Sequence, residues 1–279
     1  RSDASWHRLQ DAVRGATKEI YSNDTNAEGT DANTLTSFDS DGFSLGTAAD
    51  YNGSSRTQVA WNWKANGAGS SNSDGDITST VSANQTAGFS IVKYTGNGSN
   101  DQRVGHGLGA RPAAWFIKRL GSADDWIVYH QGLATNWYDD TYLYLNSTNA
   151  VMGSVNAGTG NPTSSVFYIG DTGRTGASGD DYIAYVFAEK KGFSKFGKYT
   201  GNGNADGTFV YTGFKPAWIM IKCSSHSSNN WVMVDNKREG FNPDNDRLYA
   251  DSTSAESDTD VVDILSNGFK NRFTGGTSN

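Results

Sequence analysis

Five residues, Tyr94-Thr95-Gly96-Asn97-Gly98, return unchanged as Tyr199-Thr200-Gly201-Asn202-Gly203, an offset of 105 residues. Each set follows a Gly-Phe-Ser step, Gly88-Phe89-Ser90 and Gly192-Phe193-Ser194, and precedes a proline and an apolar run. A turn repeated with its flanking strands signals a duplicated module, and such a period constrains the fold more than any isolated motif. The matches continue with Pro112-Ala113 on Pro216-Ala217, Ile117-Lys118 on Ile221-Lys222, Trp126-Ile127-Val128 on Trp231-Val232-Met233 and Leu143-Tyr144 on Leu248-Tyr249. The unit is about 105 residues long, the size of a small β-sandwich.

The N-terminal part aligns with the back end of such a unit. Ile20-Tyr21-Ser22-Asn23 falls on Leu143-Tyr144-Leu145-Asn146, Phe43 on Phe167, and Val59-Ala60-Trp61-Asn62-Trp63 on Ile183-Ala184-Tyr185-Val186-Phe187. Trp6 with Asp11 and Arg14 echoes Trp231 with Asp235 and Arg238. The expected organisation is the C-terminal part of a first repeat over 1–66, a Gly/Ser/Asn-rich linker over 67–85, a complete repeat over 86–191, and a second repeat over 192–279 that lacks its last strand. A start at Arg1, with neither methionine nor signal peptide, reads as a fragment or the ordered part of a longer repetitive protein.

Thirty-three glycines, abundant Ser, Thr, Asn and Asp, and thirteen each of Tyr and Phe describe an all-β chain of short strands and polar turns. The complete repeat offers about seven strands, over 89–94, 102–105, 113–118, 126–130, 142–146, 166–169 and 182–188, which points to tandem β-sandwich modules of jelly-roll or lectin-like type. Val59, Trp61 and Trp63 alternate with smaller or polar partners and read as a half-buried strand with both tryptophans on one face. Helix signals are confined to 6–14, where the repeat comparison argues against them. Whether neighbouring modules share strands is left open by the sequence.

Net charge is −7, from 30 acidic and 23 basic side chains without a basic cluster, which argues against nucleic-acid binding through the phosphate backbone. No apolar run is long enough to cross a bilayer. The single cysteine, Cys223, excludes an intrachain disulfide and reads as a packing residue.

Residues that recur between the units are mostly Gly, Pro, Trp, Tyr, Phe and Ala, the types that turns and cores require. The polar candidates do not recur. His106 falls on Thr212, His130 falls on Asp235, and His7 and His226 have no counterpart, so no histidine-based active site or ligand set is expected. Asp124-Asp125 falls on Asn229-Asn230, while Asp139-Asp140 and Asp180-Asp181 sit in loops, and each pair reads as a solvated turn rather than a catalytic dyad. Asp39-Ser40-Asp41-Gly42 and Asp74-Gly75-Asp76 resemble calcium-loop starts, but no bidentate Glu follows at the required spacing. Hairpin turns account for both, so no metal is expected. Trp137 and Tyr138, flanked by Asn136, Asp139 and Asp140, interrupt a polar loop. An aromatic face beside amide and carboxylate groups is a way to hold a sugar ring, which makes this loop the candidate glycan site.

Taken together, Tyr94 to Gly98, His106-Gly107-Leu108-Gly109 with Pro112, Trp126 to His130, and Val59 to Gly69 resemble a tandem β-sandwich repeat family of unassigned function, found in tail-fibre and other structural proteins of marine tailed phages. The likeness covers nearly the whole chain. It implies a non-enzymatic, cofactor-free structural protein at a virion surface, homo-oligomeric, contacting other virion proteins and adhering to a host-surface glycan, without nucleic-acid binding or membrane insertion. The alternatives are a carbohydrate-binding module of a secreted or cell-surface bacterial protein and, less favoured, a polysaccharide depolymerase.

Overall fold

The computed structural model describes residues 3–133, 141–153, 158, 160–238, 242 and 246–279. It is all-β: every ladder between named strands is antiparallel, and the single helical piece among the described residues is one turn, α1 (Ala49–Asn52).

In the first stretch, β1 (Arg8–Leu9), β2 (Lys18–Tyr21) and β3 (Gly29–Thr30) make a small sheet, and β4 (Leu35–Phe38) and β5 (Phe43–Leu45) make a hairpin. The middle stretch holds β6 (Ser70–Asn72), β7 (Ser79–Asn84), β8 (Phe89–Thr95), β9 (Gln102–Gly105), β10 (Ala114–Arg119), β11 (Ile127–His130), β12 (Thr141–Tyr144), β13 (Met152–Gly153), β14 (Val166–Ile169) and β15 (Asp181–Phe187). Eight of these form one sheet in the order β13-β12-β11-β10-β15-β8-β7-β6, and β9 pairs with β14 to cover one of its faces. The last stretch holds β16 (Phe209–Tyr211), β17 (Trp218–Ile221), β18 (Val232–Asp235), β19 (Asp246–Tyr249), β20 (Ser257–Asp258), β21 (Val262–Leu265) and β22 (Gly268–Asn271), as the sheets β17-β18-β19-β20 and β16-β22-β21.

Period-two alternation gives the central strands two apolar faces. Trp115, Ile117, Ala184 and Val186 meet Val104, Phe167 and Ile169 of β9 and β14 in one core, the interior of a sandwich. Phe89, Ile91, Val128, Ile183 and Tyr185 point the other way, into a second core completed by Ile20 from the first stretch and Trp231, Met233 and Leu248 from the last. A third core, with Ile219, Ile221, Val232, Val234, Ile264 and Phe269, belongs to the last stretch. The second core joins all three stretches. Trp126 donates its indole N–H to the Tyr21 carbonyl at 2.7 Å, and Trp231 donates to the Tyr144 carbonyl at 2.8 Å. Positions that align in the sequence thus make the same bond from one stretch into the one before it.

The duplicated turn has a physical explanation. Gly98 and Gly203 adopt φ of 74° and 67°, where a side chain is strained. A Cβ on Gly96 would lie 2.4 Å from the Ala177 carbonyl oxygen, and one on Gly201 would lie 2.2 Å from the Asn279 backbone. Asn97 and Asn202 each accept the N–H two residues on, the side-chain-to-backbone turn that asparagine favours. Tyr94 and Tyr199 anchor the same turn by donating to the carbonyls of Thr175 and Ser278.

Two segments differ from the sequence reading, and a third, 6–14, carries no helix, as the repeat comparison indicated. Residues 67–85, expected as a linker, contain β6 and β7, which extend the eight-stranded sheet. Their inward positions include Ser79 and Ser82, buried because their hydroxyls bond the Gly105 and Gly67 carbonyls, so polar composition conceals a strand. Residues 59–63, expected as a strand, form no ladder with any described residue, although Val59 and Trp61 do pack against the second core. Residues 6–14 form β1 and a turn in which the Asp11 carboxylate caps the N–H groups of Val13 and Arg14.

Candidate functional site

The loop proposed from sequence to hold a glycan, Asn136, Trp137, Tyr138, Asp139 and Asp140, lies outside the described residues. The remaining candidates are described, and most are fastened into structural bonds.

His106 is fully buried. Its Nδ1 accepts the Leu108 N–H at 3.1 Å and its Nε2 lies 3.3 Å from the Thr163 carbonyl. Burial lowers its pKa to about 4, so the neutral ring fills the site. Thr212, its counterpart, bonds the N–H of Phe214 in the same way. Imidazole and hydroxyl are thus interchangeable acceptors for one turn. His130 likewise accepts the Gly132 N–H at 2.9 Å, and burial lowers its pKa.

The described acidic pairs are also committed. Asp124 and Asp125 face Arg174, and Asp124 also faces Arg119, while Asp180 pairs with Arg119 at 2.6 Å and Asp181 with Lys93 at 3.2 Å. Asp125 accepts from the Asn146 amide at 2.8 Å, and the Asn146 oxygen accepts the Trp126 N–H. In the last stretch the two chemistries change places: burial raises the pKa of Asp251, which accepts the Trp231 N–H, and the bonds from Trp231 and Asn230 act against that rise. An acid and an amide are retained with their positions exchanged, as expected of a structural pair and not of a catalytic acid.

Neither calcium-like sequence converges on a cation. Asp39 closes the β4–β5 turn, its N–H donating to the Gly42 carbonyl and its carboxylate accepting from Ser37 and Ser44. Asp76 grips Arg103 with both oxygens, and those bonds lower its pKa to about 2. Among the described residues no group of three or more His, Cys, Asp or Glu side chains could hold a metal ion.

Two buried ionic locks escaped the sequence search for chemistry, although the echo of Asp11 and Arg14 in Asp235 and Arg238 marked their positions. Arg14 donates to Asp11 at 2.5 Å, to Glu28 at 3.2 Å and to the Leu9 carbonyl at 2.9 Å. Arg238 repeats this with Asp235 at 2.8 Å, Glu256 at 2.6 Å and the Met233 carbonyl at 3.3 Å. Each lock is closed by an aromatic side chain from another stretch. Tyr185 donates its hydroxyl to Asp11 at 2.7 Å, and Trp61 donates its indole N–H to Asp235 at 3.1 Å. Burial works against the charge on Arg14, but Tyr185, Asp11 and Glu28 outweigh it and hold its pKa above the ordinary range. Buried charges persist where every partner is satisfied, and here the satisfied set doubles as a joint between stretches.

One surface feature stands apart from these joints. Phe209 and Tyr211 project from the same face of β16 and are 44% and 65% exposed, while Val210 between them packs on the third core. Across the ladder, Lys270 stands opposite Phe209 and Gly268 opposite Tyr211, so an open aromatic surface lies beside a cation and a bare backbone. Alternation on a short strand could have revealed this pair, but the surrounding turn signals masked it.

These features define an all-β protein of the sandwich class, in which His106, His130 and the acidic pairs 124–125 and 180–181 are bonded to neighbouring groups. The chain belongs to the family described as Domain of unknown function (DUF7483), whose model matches residues 1–279. Neither a curated protein nor a solved structure matches the chain. No helix among the described residues is long and apolar enough to cross a membrane.

Proposed function

We propose that the chain is a structural component of a virion surface, a tail-fibre or appendage module that also presents an adhesive face to a host glycan. The resemblance of its repeated motifs to phage structural repeats supports the location, and the occupied acids and histidines support a non-enzymatic role. The observation that carries adhesion is the exposed pair Phe209 and Tyr211 on one strand face. Flat aromatic surfaces stack on sugar rings, and Lys270 and Asp206 beside them supply polar contacts. Shallow sites of this kind act through multiplicity, as in a fibre that carries many copies.

The alternative is a carbohydrate-binding module of a secreted or cell-surface bacterial protein, and the same aromatic face supports it equally. A polysaccharide depolymerase is disfavoured because Asp124, Asp125, Asp180 and Asp181 are engaged with Arg, Lys or amide partners. The test is a glycan array probed with the parent chain, Tyr211→Ala and Trp137→Ala. A defined set of glycans, bound by the parent and lost in one variant, locates the adhesive surface. A flat array removes adhesion, and release of reducing ends from polysaccharide overturns the non-enzymatic reading.

A further inference from the structure

Asparagine followed by glycine is prone to lose its side-chain ammonia, because glycine has no side chain to keep its backbone nitrogen away from the neighbouring amide carbon. Five such pairs occur, at Asn52, Asn66, Asn97, Asn202 and Asn267. Folding holds four of them. Asn52 donates its amide to the Gly46 carbonyl from within α1. Asn97 accepts the Ser99 N–H and donates to the Gln102 side chain at 2.9 Å, while the Gly98 N–H is given to the Gly176 carbonyl. Asn202 accepts the Asn204 N–H and donates to the Asp206 carbonyl. Asn267 leads into Gly268, which is buried and paired with Leu265 across the β21–β22 hairpin.

The fifth pair is open. Asn66 and Gly67 are both exposed, and neither the Asn66 carboxamide nor the Gly67 N–H bonds a described residue. Gly67 has φ of 67°, and no atom lies within 4 Å of the place a Cβ would take, so nothing crowds its nitrogen. The rest of the dipeptide is clamped. The Asn66 N–H donates to Ser82 Oγ at 2.8 Å, and the same hydroxyl donates to the Gly67 carbonyl at 2.7 Å. Ser82 is fully buried on β7, so a single hydroxyl ties both residues to the eight-stranded sheet. The clamp ends a strap. Val59, Trp61 and Ala65 pack on the second core, Trp61 reaches Asp235, and the Lys64 carbonyl accepts the Asn84 amide at 3.0 Å.

We propose that Asn66 is a site of spontaneous covalent modification, conversion to aspartate and isoaspartate, that releases this strap with age. The Gly67 nitrogen attacks the Asn66 Cγ. A new C–N bond forms, and the side-chain nitrogen leaves as ammonia with the proton that Gly67 gives up, which leaves a five-membered succinimide. Water then opens the ring. Cleavage at Cγ gives aspartate, whereas cleavage at the main-chain carbonyl gives isoaspartate, whose backbone runs through Cβ and Cγ. That product places one more methylene between the N–H and the carbonyl held by Ser82, and one hydroxyl no longer meets both. The strap then loses its hold on the sheet. This site is independent of any glycan role.

The test is incubation of the purified chain in mildly alkaline buffer, with peptide mass mapping and enzymatic isoaspartyl methylation at intervals. Asn66 is expected to convert about tenfold faster than Asn97, whose carboxamide must first break two hydrogen bonds. In concentrated urea, where neither is held, the two rates should converge. Equal rates in the folded chain, or the same ratio in urea, overturn the assignment. The converted chain should melt below the fresh one, while Asn66→Gln, incubated alongside, keeps its midpoint. A converted chain that melts as before overturns the release of the strap.

Discussion

The exchanged acid and amide beside the two tryptophans make a quantitative prediction. In Asn146→Asp a second carboxylate replaces the amide that donates to Asp125 at 2.8 Å. Two charges at that separation repel by about 6 kcal/mol at an effective dielectric constant of 20. Taking up a proton instead, at pH 7 and an ordinary carboxyl pKa near 4, costs about 4 kcal/mol. Rotation toward water relieves part of either, so the expected loss is about 2–4 kcal/mol at pH 7, shrinking toward pH 4. Asp125→Asn alone replaces a charge-assisted bond with a neutral one and costs about 1 kcal/mol. The double variant restores the arrangement that Asn230 and Asp251 show. Its stability should return to within about 1 kcal/mol of the parent, a coupling of about 2–5 kcal/mol. Urea unfolding of all four chains at pH 7 and pH 4 measures this. A double variant that loses the sum of the two single losses, or an Asn146→Asp loss unchanged at pH 4, would refute the assignment of these acids to structure.

Two further predictions follow from the buried groups. His106, lowered to about 4 by burial against about 6.5 in the unfolded chain, lets the unfolded state bind the extra proton between those values, so stability present above pH 6.5 falls by up to about 3 kcal/mol toward pH 4. His106→Thr, which installs the residue found at the aligned position, should flatten most of that acid limb in denaturant titrations across this range, leaving the slope due to His130; an unchanged limb would assign it elsewhere. Tyr185→Phe removes the hydroxyl that bonds Asp11 and Arg14 and should cost about 1–3 kcal/mol in urea unfolding; a neutral result would show that the lock does not depend on its aromatic closure.

The strands of the middle stretch were legible because their alternation is strong and their ends are marked by Gly, Pro and Asn. Five residues from one turn also announced which glycines carry strain and which tyrosines anchor them. Strands β6 and β7 were not legible, since buried Ser79 and Ser82 satisfy their hydroxyls on carbonyls that only the folded chain brings near. At residues 59–63 the alternation suggests a half-buried strand, but only Val59 and Trp61 pack against the second core, Trp63 is 42% exposed, and none of the described residues supplies the partner strands a ladder needs. The ionic locks joining distant stretches were invisible as contacts, because Asp11 and Tyr185 stand 174 residues apart. The aromatic pair on β16 has no counterpart chemistry in the middle stretch, where Arg103 and Gly105 lie, so comparison within the chain gave it no emphasis.

The core that draws Ile20, Tyr185 and Leu248 together has a mechanical consequence. A string of separate beads lengthens under tension by opening one bead at a time, each releasing slack while its neighbours stay shut. Here a pull on the two chain ends loads one body of interior, and the two ionic clasps span it from different sides. Such a segment behaves as a stiff node that holds its length until it gives way as a whole.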